Sequence, residues 1–123
     1  MAIKESVIQK SILDYLELYS RSNPCYFFRA GAGAMKLANG RFFKTGKPGC
    51  PDIVLCLSCP IKSGGSVGVF VGLEVKNEKG RQSQSQKVAE SEIQDAGGFY
   101  YLVRSISDVK EAMKDVDSLV WNL

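Results

Sequence analysis

Two apolar segments that lie close together in the chain constrain its fold more than any other feature. Residues 52–57 have the composition of a buried strand, and residues 67–75 alternate at first and then run apolar, as a central strand does. Gly64-Gly65, between them, is typical of a turn. The sequence therefore predicts two neighbouring strands in the middle of a sheet.

Helical patterns flank these strands. Residues 3–21 carry apolar side chains at helical spacing, and Pro24 favours an end before it, because proline disfavours helix at the preceding residue. Ser83 and Gln86 form a capping-box pattern that predicts a second helix, ended near residue 96 by Gly97-Gly98. The other expected elements are a strand at 25–28, a hairpin with a type I′ turn at Asn39-Gly40, a strand at 99–103 and a last helix to residue 116, capped by Ser107. This order predicts a mixed α/β sheet flanked by helices.

Length and composition exclude several classes of protein. The 123 residues suit one domain, 1–123, and contain no apolar run long enough to span a membrane. The first residues lack the apolar core of a signal peptide, so we expect a cytoplasmic protein, in the host cytosol if the chain is viral. The chain has no histidine, which excludes histidine-dependent triads. Catalysis, if any, must rest on carboxylates, lysine and metal.

Positive charge is concentrated in one third of the chain. From Leu18 to Pro51 there is no acidic residue, whereas the rest of the chain has a net charge of −3. Such a basic stretch suits a polyanionic partner, because neutralised phosphates release counterions. A solvated surface with chance asymmetry is the alternative. The six basic residues of the stretch are Arg21, Arg29, Lys36, Arg41, Lys44 and Lys47.

The four cysteines permit a zinc or redox reading but do not favour it. Cys56 and Cys59 have the spacing of a zinc or dithiol pair, yet they end an apolar strand, whereas a redox pair should open a helix. A zinc site needs a second pair of ligands, and only the scattered Cys25 and Cys50 remain. Free thiols that pack as small apolar groups are the simpler interpretation.

Charged residues at the ends of the two apolar strands form the candidate site. Glu74 and Lys76 share a face because alternate residues of a strand do, and Asp52 lies at the mouth of the other strand. If the strands pair as a hairpin, both carboxylates converge, and with a backbone carbonyl such as that of Val75 they offer the oxygen ligands that Mg²⁺ prefers. Lys76 could then orient the attacking water and offset charge in the transition state. A surface ion pair is the alternative for Glu74 and Lys76.

These motifs resemble those of the PD-(D/E)xK nuclease superfamily and, within it, the virus-type replication-repair nuclease (VRR-NUC) family. The resemblance rests on Pro51-Asp52, Glu74-Val75-Lys76, an arginine shortly after them at Arg81, and Gln86 on the next helix. Glu5 matches a glutamate that the family carries on its first helix. The resemblance covers roughly residues 5–109, and its motifs are specific in combination.

The resemblance implies a restriction-endonuclease-like core and a role for each matched residue. Asp52 and Glu74 would bind Mg²⁺ or Mn²⁺ together with the Val75 carbonyl, and Lys76 would be the catalytic lysine. Gln86 would contact the water, the metal shell or the scissile phosphate, with helix capping as its alternative role. Glu5 could bind a second metal or a metal-bound water.

The activity that the resemblance implies is a metal-dependent, structure-selective DNA endonuclease. Its expected substrate is branched DNA such as a Holliday junction, its context DNA repair, and its assembly a homodimer, with no membrane and no small-molecule cofactor. A flap- or restriction-like nuclease of the same fold and a non-catalytic nucleic-acid-binding module remain open alternatives. The aromatic side chains could stack on bases, although core packing is favoured for them. The residues expected to contact DNA are Arg29, Lys36, Arg41, Lys44, Lys47 and Arg81.

Overall fold

The computed structural model describes residues 2–31 and 33–123, and it describes the side chains of all of these except 33–35 and 42–45. The described chain is an α/β structure in which helices flank a four-stranded mixed sheet, as predicted. The helices are α1 (Glu5–Ser20), α2 (Gln84–Asp95) and α3 (Ile106–Val120). The strands are β1 (Cys25–Arg29), β2 (Gly33–Lys36), β3 (Phe42–Thr45), β4 (Ile53–Pro60), β5 (Ser66–Val75) and β6 (Phe99–Val103).

The four-stranded sheet has the order β1-β4-β5-β6. β4 and β5 form an antiparallel hairpin, with Ile53 opposite Leu73, which meets the condition for Asp52 and Glu74 to converge. β1 pairs antiparallel with the outer side of β4, and β6 pairs parallel with β5 after the crossover through α2. The hairpin of β2 and β3 is a separate two-stranded sheet that follows β1 in the chain and precedes β4.

The hydrophobic core lies on one face of the sheet. The side chains that enter it from β4 alternate, with Ile53, Leu55, Leu57 and Cys59 buried. Helices α1 and α3 cover this face and contribute large buried side chains. The opposite face carries α2 over the β5–β6 side, where Gly72 leaves room for other side chains. The charged end of β5 therefore lies at the boundary between the two helical layers.

Both ends of α2 follow the sequence prediction. Ser83 is the N-cap, and the reciprocal hydrogen bonds of the capping box with Gln86 are both present. Gly97, with a φ of 91°, lies just beyond the last turn in the left-handed conformation that glycine adopts without strain. Local polar chemistry thus fixes where the helix begins and ends.

The start of α3 and the turn of the β2–β3 hairpin differ from the prediction. α3 is capped by Ser105 instead of Ser107, since the side chain of Ser105 accepts from the Asp108 amide, and the helix continues to Val120. In the hairpin, Gly40 has a φ of 84°, but no described residue other than glycine has a positive φ, so the turn cannot be type I′. The Gly40 amide bonds to the Leu37 carbonyl at 3.0 Å, which closes a three-residue loop whose last residue is a left-handed glycine.

The cysteine pair is divided between the two faces of β4. Cys59 is buried in the core, whereas Cys56 is exposed on the opposite face, and all four cysteines are free thiols. A strand places residues three apart on opposite faces, so these two thiols do not point toward a common metal.

In the described part of the chain, no helix combines the length and apolar character that crossing a membrane requires.

Candidate active site

Asp52 and Glu74 lie opposite each other at one end of the β4–β5 hairpin. Asp52 precedes Ile53 and Glu74 follows Leu73, the last cross-strand pair, so the register brings the two carboxylates together. The Val75 amide donates to Asp52 Oδ2 at 2.8 Å, which extends the hairpin by a side-chain hydrogen bond where the backbone pairing ends. The Asp52 carbonyl accepts from the Ala30 amide at 2.7 Å, so Asp52 is held from β1 as well.

Glu74 is the only charged side chain among the buried residues that the structure describes. Its exposed fraction is 1%, and its Oε1 atom is buried without a hydrogen-bond partner. Burial raises its pKa to about 9; the hydrogen bond and charge of Asp52 and the charge of Glu5 act in the same direction, whereas Lys76 opposes them. An isolated buried carboxylate is unfavourable, so this position favours either a proton or a bound cation.

Lys76 and Glu5 complete the group around the two carboxylates. A Cβ built on Gly80 would lie 2.7 Å from Glu5 Oε1 and 3.0 Å from Lys76 Cδ, so both side chains meet over this glycine. Glu5 is in the first turn of α1, and Lys76 directly follows β5. The fold thus brings Glu5, Asp52, Glu74 and Lys76, predicted from separate parts of the sequence, to one location.

The chemistry of these donors fits a divalent cation with oxygen ligands. The amide and carbonyl of one strand residue point to the same side, and the Val75 amide faces Asp52, so the Val75 carbonyl is directed to the Asp52 side as well. The unpartnered Oε1 of Glu74 supplies a further oxygen. In the described ranges, no three His, Cys, Asp or Glu side chains form a ready-made metal cluster. Mg²⁺ is commonly held by one or two carboxylates and completed by water and phosphate oxygens, and these residues suit that mode.

The loop after Lys76 is held from β6 by Arg104. The Arg104 guanidinium donates to the carbonyls of Asn77 and Gly80, and the Asn77 side chain accepts from the Gly80 amide at 2.9 Å. The Lys76 amide bonds to the Val103 carbonyl at 3.0 Å, so the sheet ladder continues to Lys76 itself. The backbone of Lys76 is therefore fixed on both sides, which orients its side chain toward the carboxylates.

In this structure the Gln86 side chain caps helix α2, which is the alternative to a catalytic role. Its Oε1 accepts from the Ser83 amide at 2.8 Å as part of the capping box. The start of α2 is nevertheless close to the Asp52 segment, because a Cβ on Gly49 would lie 2.1 Å from the Ser85 carbonyl oxygen. Within the described residues, the Gln86 side chain makes no hydrogen bond to either carboxylate.

Those basic residues expected to contact DNA whose side chains the structure describes are exposed. Arg29, at the end of β1, and Lys36 and Arg41, in the β2–β3 hairpin, are exposed. Lys47 forms an exposed ion pair with Glu92 at 3.0 Å. Arg81 donates to the Gly80 carbonyl at 2.9 Å, next to the loop that follows Lys76. The side chain of Lys44 lies outside the described residues.

Three further polar residues adjoin the carboxylates, and the sequence did not indicate that they belong to this site. Tyr100 is 5% exposed, and burial raises its pKa to about 12, with Glu74, Glu90 and Asp52 adding to that rise while the Gln82 hydrogen bond lowers it. The Gln82 amide donates both to the Tyr100 hydroxyl, at 3.3 Å, and to Glu90 Oε1, at 3.1 Å. Glu90 is four residues after Gln86 on α2, so this helical spacing was the available signal.

Comparison of this chain with protein-family models, with curated proteins and with solved structures finds no match. The assignment of a function therefore rests on the residues and their geometry.

Proposed function

We propose that this chain is a Mg²⁺- or Mn²⁺-dependent DNA nuclease with a PD-(D/E)xK core of the VRR-NUC type. The observation that carries the proposal is the buried Glu74 carboxylate, which has an unpartnered oxygen and lies opposite Asp52 and beside Lys76. Burying this charge costs free energy that a purely structural role would not require. A divalent cation between the two carboxylates would compensate that cost.

Each residue of the group has a distinct part in phosphodiester hydrolysis. Asp52, Glu74 and the Val75 carbonyl would hold the metal, which would supply polarisation of the phosphate and neutralisation of its charge. Lys76, which can donate hydrogen bonds but cannot accept them, orients the attacking water and stabilises the additional negative charge of the transition state. The water oxygen bonds to phosphorus and the water gives up one proton, one phosphorus–oxygen ester bond breaks, and the departing oxygen takes up one proton, so that one water is added across the ester.

Branched DNA is the proposed substrate, and a homodimer is the proposed assembly, both because of the resemblance to the VRR-NUC family. A two-fold dimer would present two sites to two strands of one junction. Flap- or restriction-like cleavage by the same site is the nearest alternative. A panel of four-way junctions, flaps and linear duplex, cut under identical conditions, distinguishes these substrates.

Metal-dependent cleavage with matched variants tests the activity itself. Asp52→Ala and Lys76→Ala should each reduce the rate at least about a hundredfold, the usual scale for losing one electrostatic element of a catalytic site. Lys114→Ala and Glu111→Gln change exposed residues on α3 and should cut like wild type. The proposal fails if purified protein cuts no DNA with Mg²⁺ or Mn²⁺, or if the two site variants cut as well as wild type. A non-catalytic binding module would give the first of these results while still binding DNA.

A further inference from the structure

Two aromatic side chains of β1 are exposed on the sheet. The exposed fraction is 72% for Tyr26 and 48% for Phe28, and their ring centroids are 6.2 Å apart. Phe27, between them, packs against the core. The strand is therefore held by its inward side, while its outward side presents two rings to solvent.

These rings lie on the same face of the sheet as the two carboxylates. Phe28 is opposite Val54, which is two residues from Asp52 and points to the same face. Side chains in this diagonal relation are typically about 7–8 Å apart, within reach of one nucleotide unit. Helix α2 covers the β5–β6 side of this face and leaves the β1 side open.

The charge around the rings favours a polyanion as the occupant of this face. β1 lies within the stretch from Leu18 to Pro51 that has no acidic residue, and the exposed Arg29 directly follows Phe28. Lys47 lines the same groove as Phe70, which is also exposed on this side of the sheet, but its charge is offset there by the ion pair with Glu92, so Arg29 is the basic residue that favours a polyanion here. A second copy docked by the same face would bring two such basic stretches together, and like charges oppose association.

We propose that Tyr26 and Phe28 form a stacking platform for unpaired bases of a nucleic-acid strand whose phosphodiester reaches Asp52 and Glu74. Every base has an aromatic face, so stacking on these rings tolerates any sequence, and paired bases in a duplex cannot offer that face. The inference rests on the proposed nuclease function and names its substrate class, DNA with an unpaired segment next to the cut. Among branched DNAs, flaps and splayed arms should accordingly be preferred to a fully paired four-way junction, so the platform favours the flap alternative named above.

Binding in EDTA tests the platform without requiring cleavage. The probes are a labelled single-stranded oligothymidine and an abasic oligonucleotide of the same length and charge, with fluorescence anisotropy as the readout. Tyr26→Leu and Phe28→Leu keep the apolar bulk and remove the aromatic face. Each should weaken binding of oligothymidine at least about fivefold, the lower end of the usual stacking contribution, and leave abasic binding unchanged. Phe28→Trp should retain binding.

Trp121→Leu is the matched control. Trp121 is 46% exposed and follows α3, the helix that covers the opposite face, so its loss should not change binding of either probe. The platform is overturned if the β1 variants bind oligothymidine like wild type, or if they lose affinity for both probes equally. It is also overturned if they convert a dimer to a monomer in sedimentation while each protomer binds oligothymidine as before, because the rings would then form a contact between copies.

Cleavage assays keep this inference separable from the nuclease assignment. With Mg²⁺, the Tyr26→Leu/Phe28→Leu double variant should lose the preference for a flap over a four-way junction. A protein that binds oligothymidine through the rings but cuts nothing retains the platform and refutes the nuclease. A protein whose double variant cuts flaps and four-way junctions in the wild-type ratio refutes the platform and retains the nuclease.

Discussion

The Val75 amide donates a 2.8 Å hydrogen bond to Asp52 Oδ2, across the point where the backbone pairing of β4 and β5 ends. One oxygen of the carboxylate is thereby fixed by the strand that carries Glu74. The other oxygen, Oδ1, faces Gly31, where even an added Cβ would be 4.0 Å away. Asp52 thus has one oxygen that accepts from the Val75 amide and one that lies on the Gly31 side.

This division of roles predicts different effects for two substitutions of Asp52. Asp52→Asn keeps an acceptor for the Val75 amide, so the free energy of unfolding should change little, whereas the loss of charge should abolish Mg²⁺ binding and cleavage. Asp52→Ala should also lower the free energy of unfolding by about 1–3 kcal/mol, the cost of leaving a partly buried amide without a partner. Urea unfolding and Mg²⁺ titration calorimetry measure the two effects separately.

Asp14→Ala is the control for these variants, because Asp14 forms only an exposed ion pair with Lys10 and its loss should change stability by less than about 0.5 kcal/mol. Equal destabilisation by Asp52→Asn and Asp52→Ala would contradict the role assigned to the Val75 hydrogen bond.

Glu74 makes the stability of the metal-free protein depend on pH in a defined direction. Its pKa is about 9 in the folded chain against an ordinary value of 4.5, so over that interval the folded state retains a proton that the unfolded state releases. The contribution of Glu74 to stability is therefore greatest below about pH 4.5, falls as pH rises and is constant above about pH 9. Glu74→Gln, which cannot ionise, should remove this fall, as measured by thermal unfolding in EDTA across the pH range.

Mg²⁺ should offset the loss of stability that ionisation of Glu74 causes in the wild-type protein. At a pH of about 8, adding Mg²⁺ should raise the Tm of the wild-type protein, since a ligand that binds only the folded state stabilises it. Glu74→Gln should show a much smaller rise. An equal rise in Tm for both proteins would place the ion elsewhere.

Gly49 joins the Asp52 segment to the start of α2, and its substitution should be unusually costly. It has a φ of 77°, and a Cβ there would lie 2.1 Å from the Ser85 carbonyl oxygen. Gly49→Ala should therefore lower the free energy of unfolding by more than the roughly 1–2 kcal/mol that a left-handed conformation costs alanine. Gly64→Ala isolates that conformational cost, because Gly64 has a φ of 110° and no atom within 4 Å. If both variants lose the same stability in urea unfolding, the contact with α2 is not tight.

The two serines before α3 provide a direct test of the observed cap. Ser105 accepts from the Asp108 amide at 3.1 Å, so Ser105→Ala should lower the free energy of unfolding by about 1 kcal/mol. Ser107 is inside the helix, and Ser107→Ala should be neutral or slightly stabilising because alanine is the better helix former. If urea unfolding instead shows that Ser107→Ala is the more destabilising change, Ser107 is the cap, as the sequence predicts.

The sequence predicted those elements whose ends depend on local chemistry. The capping box at Ser83 and the glycine after α2 are short-range signals, and both ends of α2 lie within one residue of the prediction. Glu74 and Lys76 were expected on one face because strands have a period of two residues. The pairing of β4 with β5 then brought Asp52 to Glu74, as expected for a hairpin.

Other features depend on contacts between distant parts of the chain and could not be predicted in this way. Arg104 holds a loop 27 residues earlier in the sequence, and no local pattern marks that contact. The error at α3, by contrast, concerns local contacts, since Ser105 and Asp108 are three residues apart and form a capping pattern that the sequence contains. Asp108 bonds both to Ser105 and to the Arg104 amide, and this pair of contacts selects the earlier serine immediately after β6 ends.

Arg29 pairs with Ile53, and the Ala30 amide donates to the Asp52 carbonyl. These contacts bring the two ends of the segment from Ala30 to Asp52 side by side. The backbone contacts at the base of the β2–β3 hairpin therefore hold the sheet and Asp52 in place, and they do not depend on the length of the hairpin. Because the entropy of closing a loop grows only slowly with its length, insertions and deletions within the hairpin itself should be inexpensive, whereas Gly49 ties the segment just before Asp52 to the start of α2. The hairpin is thus a part of the chain that can vary while the paired carboxylates stay in place.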